Sequence, residues 1–227
     1  MGGSWRLGKI AGIDVFVHAT FFILLAWVAL SAYQSSGRIA AAASGVASIL
    51  TVFGVVVLHE LGHALTARRF GIATRDITLL PIGGVSRLEH MPEDPRQELQ
   101  VALAGPAVNV ALAAAAYAAF LVLGLGAIDH VSVTEGSFLT RLFSINVSLA
   151  LFNLIPAFPM DGGRVFRALL ALRMDRARAT EVAARTGQAL ALVFALAGLV
   201  WNPMLLLIAL FVWTGAAQEA RVAPRAA

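Results

Sequence analysis

Residues 49–63 read Ile49-Leu50-Thr51-Val52-Phe53-Gly54-Val55-Val56-Val57-Leu58-His59-Glu60-Leu61-Gly62-His63. A run apolar enough to lie in a bilayer continues directly into two histidines and a glutamate on the same predicted helix. Ionisable groups inside a membrane segment are costly and mark function. His59 and His63 stand at i and i+4, one turn apart, so both imidazoles leave one helix face. The stretch predicts a membrane helix with a polar end.

The rest of the chain agrees. Its 227 residues are 59% hydrophobic and 13% charged, with a mean hydropathy of +0.81. Soluble domains carry about 25% charged residues. Apolar stretches near the roughly 20 residues that span a bilayer recur. They predict an all-α polytopic membrane protein, one domain over 1–227, with spans at about 15–33, 39–63, 97–125, 138–155, 186–200 and 204–217. The first apolar run exceeds the roughly 7–15 residues of a signal-peptide core, which favours a retained anchor. The second helix is expected to continue to Arg69 and stop at Gly71. Residues 72–89 are β-prone, punctuated by Pro81 and Gly83-Gly84, and predict one or two short strands. Residues 156–163 hold two prolines and a glycine pair and cannot continue a regular helix. A basic helix is expected over 164–185.

Basic residues set the orientation. With the N-terminus inside, 15 of the 17 lysines and arginines fall on the inner side, and only Arg38 and Arg141 fall outside. The positive-inside rule predicts six spans with cytoplasmic termini and puts 59–63, 72–89 and 156–163 at the cytoplasmic face of the cell membrane. The net charge of +4 is span-flanking arginine. No basic run with interleaved aromatics points to nucleic acid. The absence of cysteine excludes disulfides and thiolate metal sites.

The spacing of His59, Glu60 and His63 is the His-Glu-x-x-His signature of zinc hydrolases, with Glu60 as general base. Zinc lowers the pKa of a coordinated water towards about 7 and polarises the scissile carbonyl. A catalytic zinc needs a third protein ligand. Candidates include Asp161, His18, His90, His130 and Asp14. Asp161 is the strongest, beside the broken end of the fourth span. Its alternative role is to cap a helix starting near Arg164.

With Asn153-x-x-Pro156-x-x-Pro159-x-Asp161-Gly162-Gly163 added to the first motif, the chain resembles the site-2 protease family of intramembrane zinc metalloproteases. Ala104-Gly105-Pro106-Ala107-Val108-Asn109 and the Gly83-Gly84 loop also resemble family segments. Met160 departs from the family's leucine. The resemblance implies one Zn2+ per chain on His59, His63 and Asp161, Glu60 as base, and Asn153 holding the substrate carbonyl or oxyanion. It implies a membrane-anchored protein substrate, such as a transcription regulator or its inhibitor, and a regulatory membrane partner. No PDZ or cystathionine-β-synthase-type domain is expected, so the chain resembles the minimal six-span type or a catalytic core. The alternative is a multi-pass zinc or other metal-ion transporter.

Other residues carry open roles. His18 could gate, bind substrate or shuttle protons, or be an interfacial histidine bonded to backbone or headgroup. His90 reads as a solvated loop residue and His130 as structural. Asn109 reads as an interspan hydrogen-bonding residue, with a substrate role as the alternative. Gly83, Gly84 and Val85 lie on a strand that could hold an unwound substrate by β-augmentation or simply cover the mouth of the site.

Overall fold

The computed structural model describes residues 3–81, 83–124, 132 and 136–222. The chain forms two compact units, Met1–Met91 with Ala107–Ser148, and Pro92–Pro106 with Leu149–Ala227.

The first unit opens with β1 (Ser4–Ile10) and β2 (Ile13–His18), followed by α1 (Ala19–Ser36) and α2 (Ile39–Arg69), then β3 (Thr74–Leu80) and β4 (Gly83–Leu88). It also holds the later part of α3 (Pro95–Val122) and the earlier part of α4 (Phe138–Asn153). The strands form one sheet in the order β1-β2-β3-β4. β2 and β3 are parallel and the outer pairs antiparallel. Ile13, Val15 and Val17 alternate inward along β2, and Ile77 and Leu79 do so along β3. They meet Phe21 of α1 and Phe53, Val57, Leu61 and Ala64 of α2 in one core. The Phe21 and Phe53 rings pack edge to face at 4.5 Å.

Two expectations change here. The first apolar segment begins as a strand, so the first membrane-length helix starts at Ala19 and not near residue 15. The β structure is correspondingly larger than 72–89, because the N-terminal hairpin joins it. The β3–β4 turn precedes Gly83, which begins β4 at φ 137°.

The second unit holds the start of α3, then α5 (Asp161–Ala171), α6 (Arg176–Val200) and α7 (Met204–Val222). α6 and α7 form a helical hairpin whose contact is lined by small residues. A Cβ on Gly198 would lie 2.9 Å from Leu206, and one on Gly187 3.3 Å from the Ala216 methyl. The expected basic helix over 164–185 is instead broken. α5 ends at Ala171, and Asp175 starts α6 by accepting a hydrogen bond from the Arg178 amide at 2.9 Å. The helix that carries the expected fifth span therefore begins at Arg176.

Five described helices, α1, α2, α3, α6 and α7, are long and apolar enough to cross a membrane. The expected span at 138–155 is α4, whose 16 residues reach only about 24 Å against a hydrocarbon core of about 30 Å. The apolar windows of the five are only 6–33% buried within the protein. Their outward side chains include Ile23, Trp27, Leu192, Leu196, Leu207 and Leu210. So much exposed apolar surface requires lipid, and the protein is a multi-pass membrane protein.

Candidate metal centre

α2 presents different side chains in different directions. Phe53, Val57 and Leu61 enter the sheet core. Val55, His59, His63 and Ala67, each four residues after the last, form a second buried stripe. The His59 and His63 Nε2 atoms stand 3.1 Å apart, with the rings crossed at 80°. Two nitrogens on one tetrahedral zinc, each at about 2.0–2.1 Å, stand about 3.3 Å apart. The pair therefore fits a shared zinc ion with almost no movement.

His59 also reaches α3. Its Nδ1 is 2.5 Å from Asn109 Oδ1. Asn109 Nδ2 donates to Asn146 Oδ1 on α4 at 3.0 Å, and Asn146 Nδ2 donates to the Leu142 carbonyl at 2.8 Å. Both asparagines are fully buried. Asn109 thus makes the expected interspan hydrogen bond, and its partner is a candidate ligand.

Val56 and Glu60 face β4. Ser86 Oγ donates to Glu60 Oε2 at 2.6 Å. That approach depends on Gly84, where a Cβ would lie 2.7 Å from Val56 Cγ1 and 3.0 Å from Glu60 Cγ. Gly84 serves close approach, whereas Gly83 serves a positive φ. Val85 is exposed on the same strand.

In the second unit Asp161 opens α5 and is buried. The N-cap of α5 is Met160, so Asp161 lies within the first helical turn and is not the cap that one reading allowed. A carboxylate is favourable in that turn beside the positive end of the helix dipole. The next two positions must be glycine. A Cβ on Gly162 would lie 2.2 Å from the Ile155 carbonyl oxygen, and one on Gly163 2.6 Å from the Ala157 carbonyl carbon. Helix α5 therefore starts pressed against the irregular segment 154–160, whose Phe158–Pro159 bond is cis.

Farther along α5, buried Arg167 bonds Glu98 of α3 through Nε at 2.8 Å and Nη2 at 2.5 Å. It also bonds Glu219 of α7 and stacks over Phe158 at 5.1 Å. Arg176 of α6 reaches the other Glu98 oxygen at 3.5 Å. This buried ionic cluster ties α5 to three other helices within the unit.

The remaining residues divide clearly. Asn153 ends α4, half-buried, its side chain with no hydrogen-bond partner among the described residues. His18 caps α1, its Nδ1 accepting from the Thr20 amide at 3.3 Å, which matches the backbone-bonded alternative. His90 is exposed. His130, Asp129 and Glu135 lie outside the described residues. Sequence reasoning missed Ser86, Asn146 and the Glu98–Arg167 pair. A buried-helix asparagine was the available signal for Asn146.

Fold and site together define a polytopic membrane protein carrying a metal-hydrolase helix. The model of peptidase family M50 matches residues 47–135 and 122–194. A zinc metalloprotease of Methanocaldococcus jannaschii is 38% identical over 98% of the chain and 62% of its own length. Rip3 of Mycobacterium tuberculosis is 34% identical over 94% and 58%. The solved site-2 protease of Methanocaldococcus jannaschii superposes with a TM-score of 0.66, at 38% identity, covering 99% of this chain and 98% of that one. The chain belongs to peptidase family M50, the site-2 protease family. It spans about three-fifths of the length of these two curated relatives. Nothing among these relatives supports the transporter alternative.

Proposed function

We propose that the protein is an intramembrane zinc endopeptidase that cuts a membrane-anchored protein within or near its transmembrane segment. The observation that carries the reading is the His59–His63 pair, with Nε2 atoms 3.1 Å apart on a membrane-length helix. Asp161 is assigned as the third ligand on its motif and burial, giving the His, His, carboxylate donor set of zinc hydrolases. Zinc there would supply Lewis acidity, polarising the scissile carbonyl and acidifying the attacking water.

Glu60 takes the proton of that water as its oxygen attacks the carbonyl carbon. It then returns the proton to the amine as the C–N bond breaks. Ser86 orients the Glu60 carboxylate from one side. Asn153, whose side-chain amide has no hydrogen-bond partner among the described residues, donates to the substrate carbonyl oxygen. A helical peptide bond is shielded by its own turn, so the substrate must be extended. Among the described residues β4 is the outer strand of the sheet, next to β3, and with Ser86 bonded to Glu60 it is the assigned docking strand. The 15 inner basic residues support cytoplasmic termini and a cytoplasmic site. Substrates in this reading are membrane-tethered regulators or their inhibitors, delivered with a regulatory membrane partner.

The test is cleavage of a single-span substrate by wild type and by Glu60→Gln, with zinc measured in both. Retained zinc with cleavage lowered about 10²–10⁴-fold is expected. Equal cleavage refutes the assigned base, and a wild type that binds no zinc refutes the reading.

A further inference from the structure

We propose that Asn146, acting through Asn109, is a positioning residue that fixes the tautomer of His59 and so presents its Nε2 lone pair to the metal. The inference rests on the zinc reading above.

The direction of the hydrogen-bond chain follows from its far end. The Leu142 carbonyl can only accept, so the Asn146 atom 2.8 Å from it must be the NH2 group. The remaining Asn146 amide atom is then the oxygen, and it accepts from Asn109 Nδ2 at 3.0 Å. That leaves the Asn109 oxygen facing His59 Nδ1 at 2.5 Å. An amide oxygen has no proton to give, so His59 Nδ1 must carry the hydrogen. A neutral imidazole has one N–H, and Nε2 is therefore the lone-pair atom. It is the same Nε2 that faces His63.

Reversing the two amides would set the Asn146 oxygen against the Leu142 oxygen, two acceptors in contact. Reversing Asn109 alone would oppose two NH2 groups. Both side chains are fully buried, so water cannot relieve either mismatch, and an unpaired buried polar group is costly. A backbone carbonyl of α4 thus dictates, through two asparagines, which nitrogen of a histidine on α2 carries the lone pair. Metal-bound histidines commonly use their other N–H in this way, and loss of that partner typically weakens metal binding 10–100-fold. Here the second link matters as much as the first. Without Asn146, Asn109 is free to turn its NH2 towards His59, which would move the proton to Nε2.

The experiment uses the full chain in nanodiscs, labelled with 15N-histidine. His59 is assigned among the five histidines by comparison with His59→Gln. Long-range proton–nitrogen correlations on the metal-free protein separate the Nδ1–H from the Nε2–H form. Zinc affinity is measured by competition with a chelator. Wild type is expected to show His59 as Nδ1–H. Asn146→Leu is expected to populate Nε2–H and to bind zinc 10–100-fold more weakly. Asn146→Thr keeps a hydroxyl that can donate to the Leu142 carbonyl and accept from Asn109. It should retain the wild-type tautomer and affinity within threefold, and it remains informative if Asn146→Leu fails to fold. A role in packing alone would lower thermal stability without moving the proton. Wild-type His59 found as Nε2–H overturns the proposal, as does Asn146→Leu with unchanged tautomer and affinity. Loss of the Nδ1–H form in a folded Asn146→Thr protein also overturns it. Failure of wild type to bind zinc would instead strike the functional reading, because the tautomer is read without metal.

Discussion

Adding one methyl group at Gly84 should separate the base from the ligands. The new Cβ would lie 2.7 Å from Val56 Cγ1 and 3.0 Å from Glu60 Cγ. Non-bonded carbons rest at about 3.5–4.0 Å, so the overlap is on the order of 1 Å. Val56 cannot rotate aside freely, since a β-branched residue in a helix holds essentially one rotamer. Gly84 lies outside the positive-φ glycines, so the substitution acts through space and not through backbone strain. Either β4 retreats or Glu60 swings away, and both lengthen the 2.6 Å Ser86–Glu60 bond. A displacement of about 1 Å at a catalytic group costs about 10²-fold. Gly84→Ala should therefore lower the initial cleavage rate of a tethered single-span reporter by about 10–100-fold. Zinc content by mass spectrometry should be unchanged, because His59 and His63 leave α2 on another face. Cleavage within threefold of wild type would refute the claim that β4 positions the base. Loss of zinc would refute the separation of base from ligands.

Two further outcomes follow from the same geometry. Glu98→Ala leaves Arg167, 4% exposed, with Glu219 as its remaining ionic partner in the cluster, and should cost about 3–5 kcal/mol. Thermal unfolding in detergent reads this, and a loss below about 1 kcal/mol would show that Glu98 is dispensable to Arg167. Proline at positions along 85–88 should reduce cleavage with zinc content intact, because it removes backbone donors from the docking strand. Unchanged cleavage would sink β-augmentation.

The parts of the fold legible in the sequence were those whose signal is local. α2 ends where Gly71 was expected to stop it, and Gly71 adopts φ 78°. β3 and β4 were marked by alternation and by Pro81. β1 and β2 were hidden because Val15, Phe16 and Val17 run into the apolar stretch of α1, so a period of two was absorbed into a longer hydrophobic segment. The break at 172–175 was hidden because Leu172, Arg173 and Met174 are good helix formers. Asp175 alone signalled the new start. At the site, the spacing of His59, Glu60 and His63 carried its own chemistry. Asn146 did not, because its meaning depends on a partner 37 residues away. Ser86 was likewise an ordinary strand hydroxyl until the sheet brought it to Glu60.

The several directions of α2 also govern how this protein can change. One side meets the sheet, one carries the histidines, and one meets β4. The fourth, Leu50, Gly54 and Leu58, is exposed. Lipid is the least discriminating of these neighbours, and any apolar shape satisfies it. Mutational drift along the helix is therefore channelled onto that stripe, while, under the docking proposed for β4, a change of substrate preference falls on its outward positions such as Val85. A helix with three fixed sides and one free side can vary its fit to the bilayer without disturbing its chemistry.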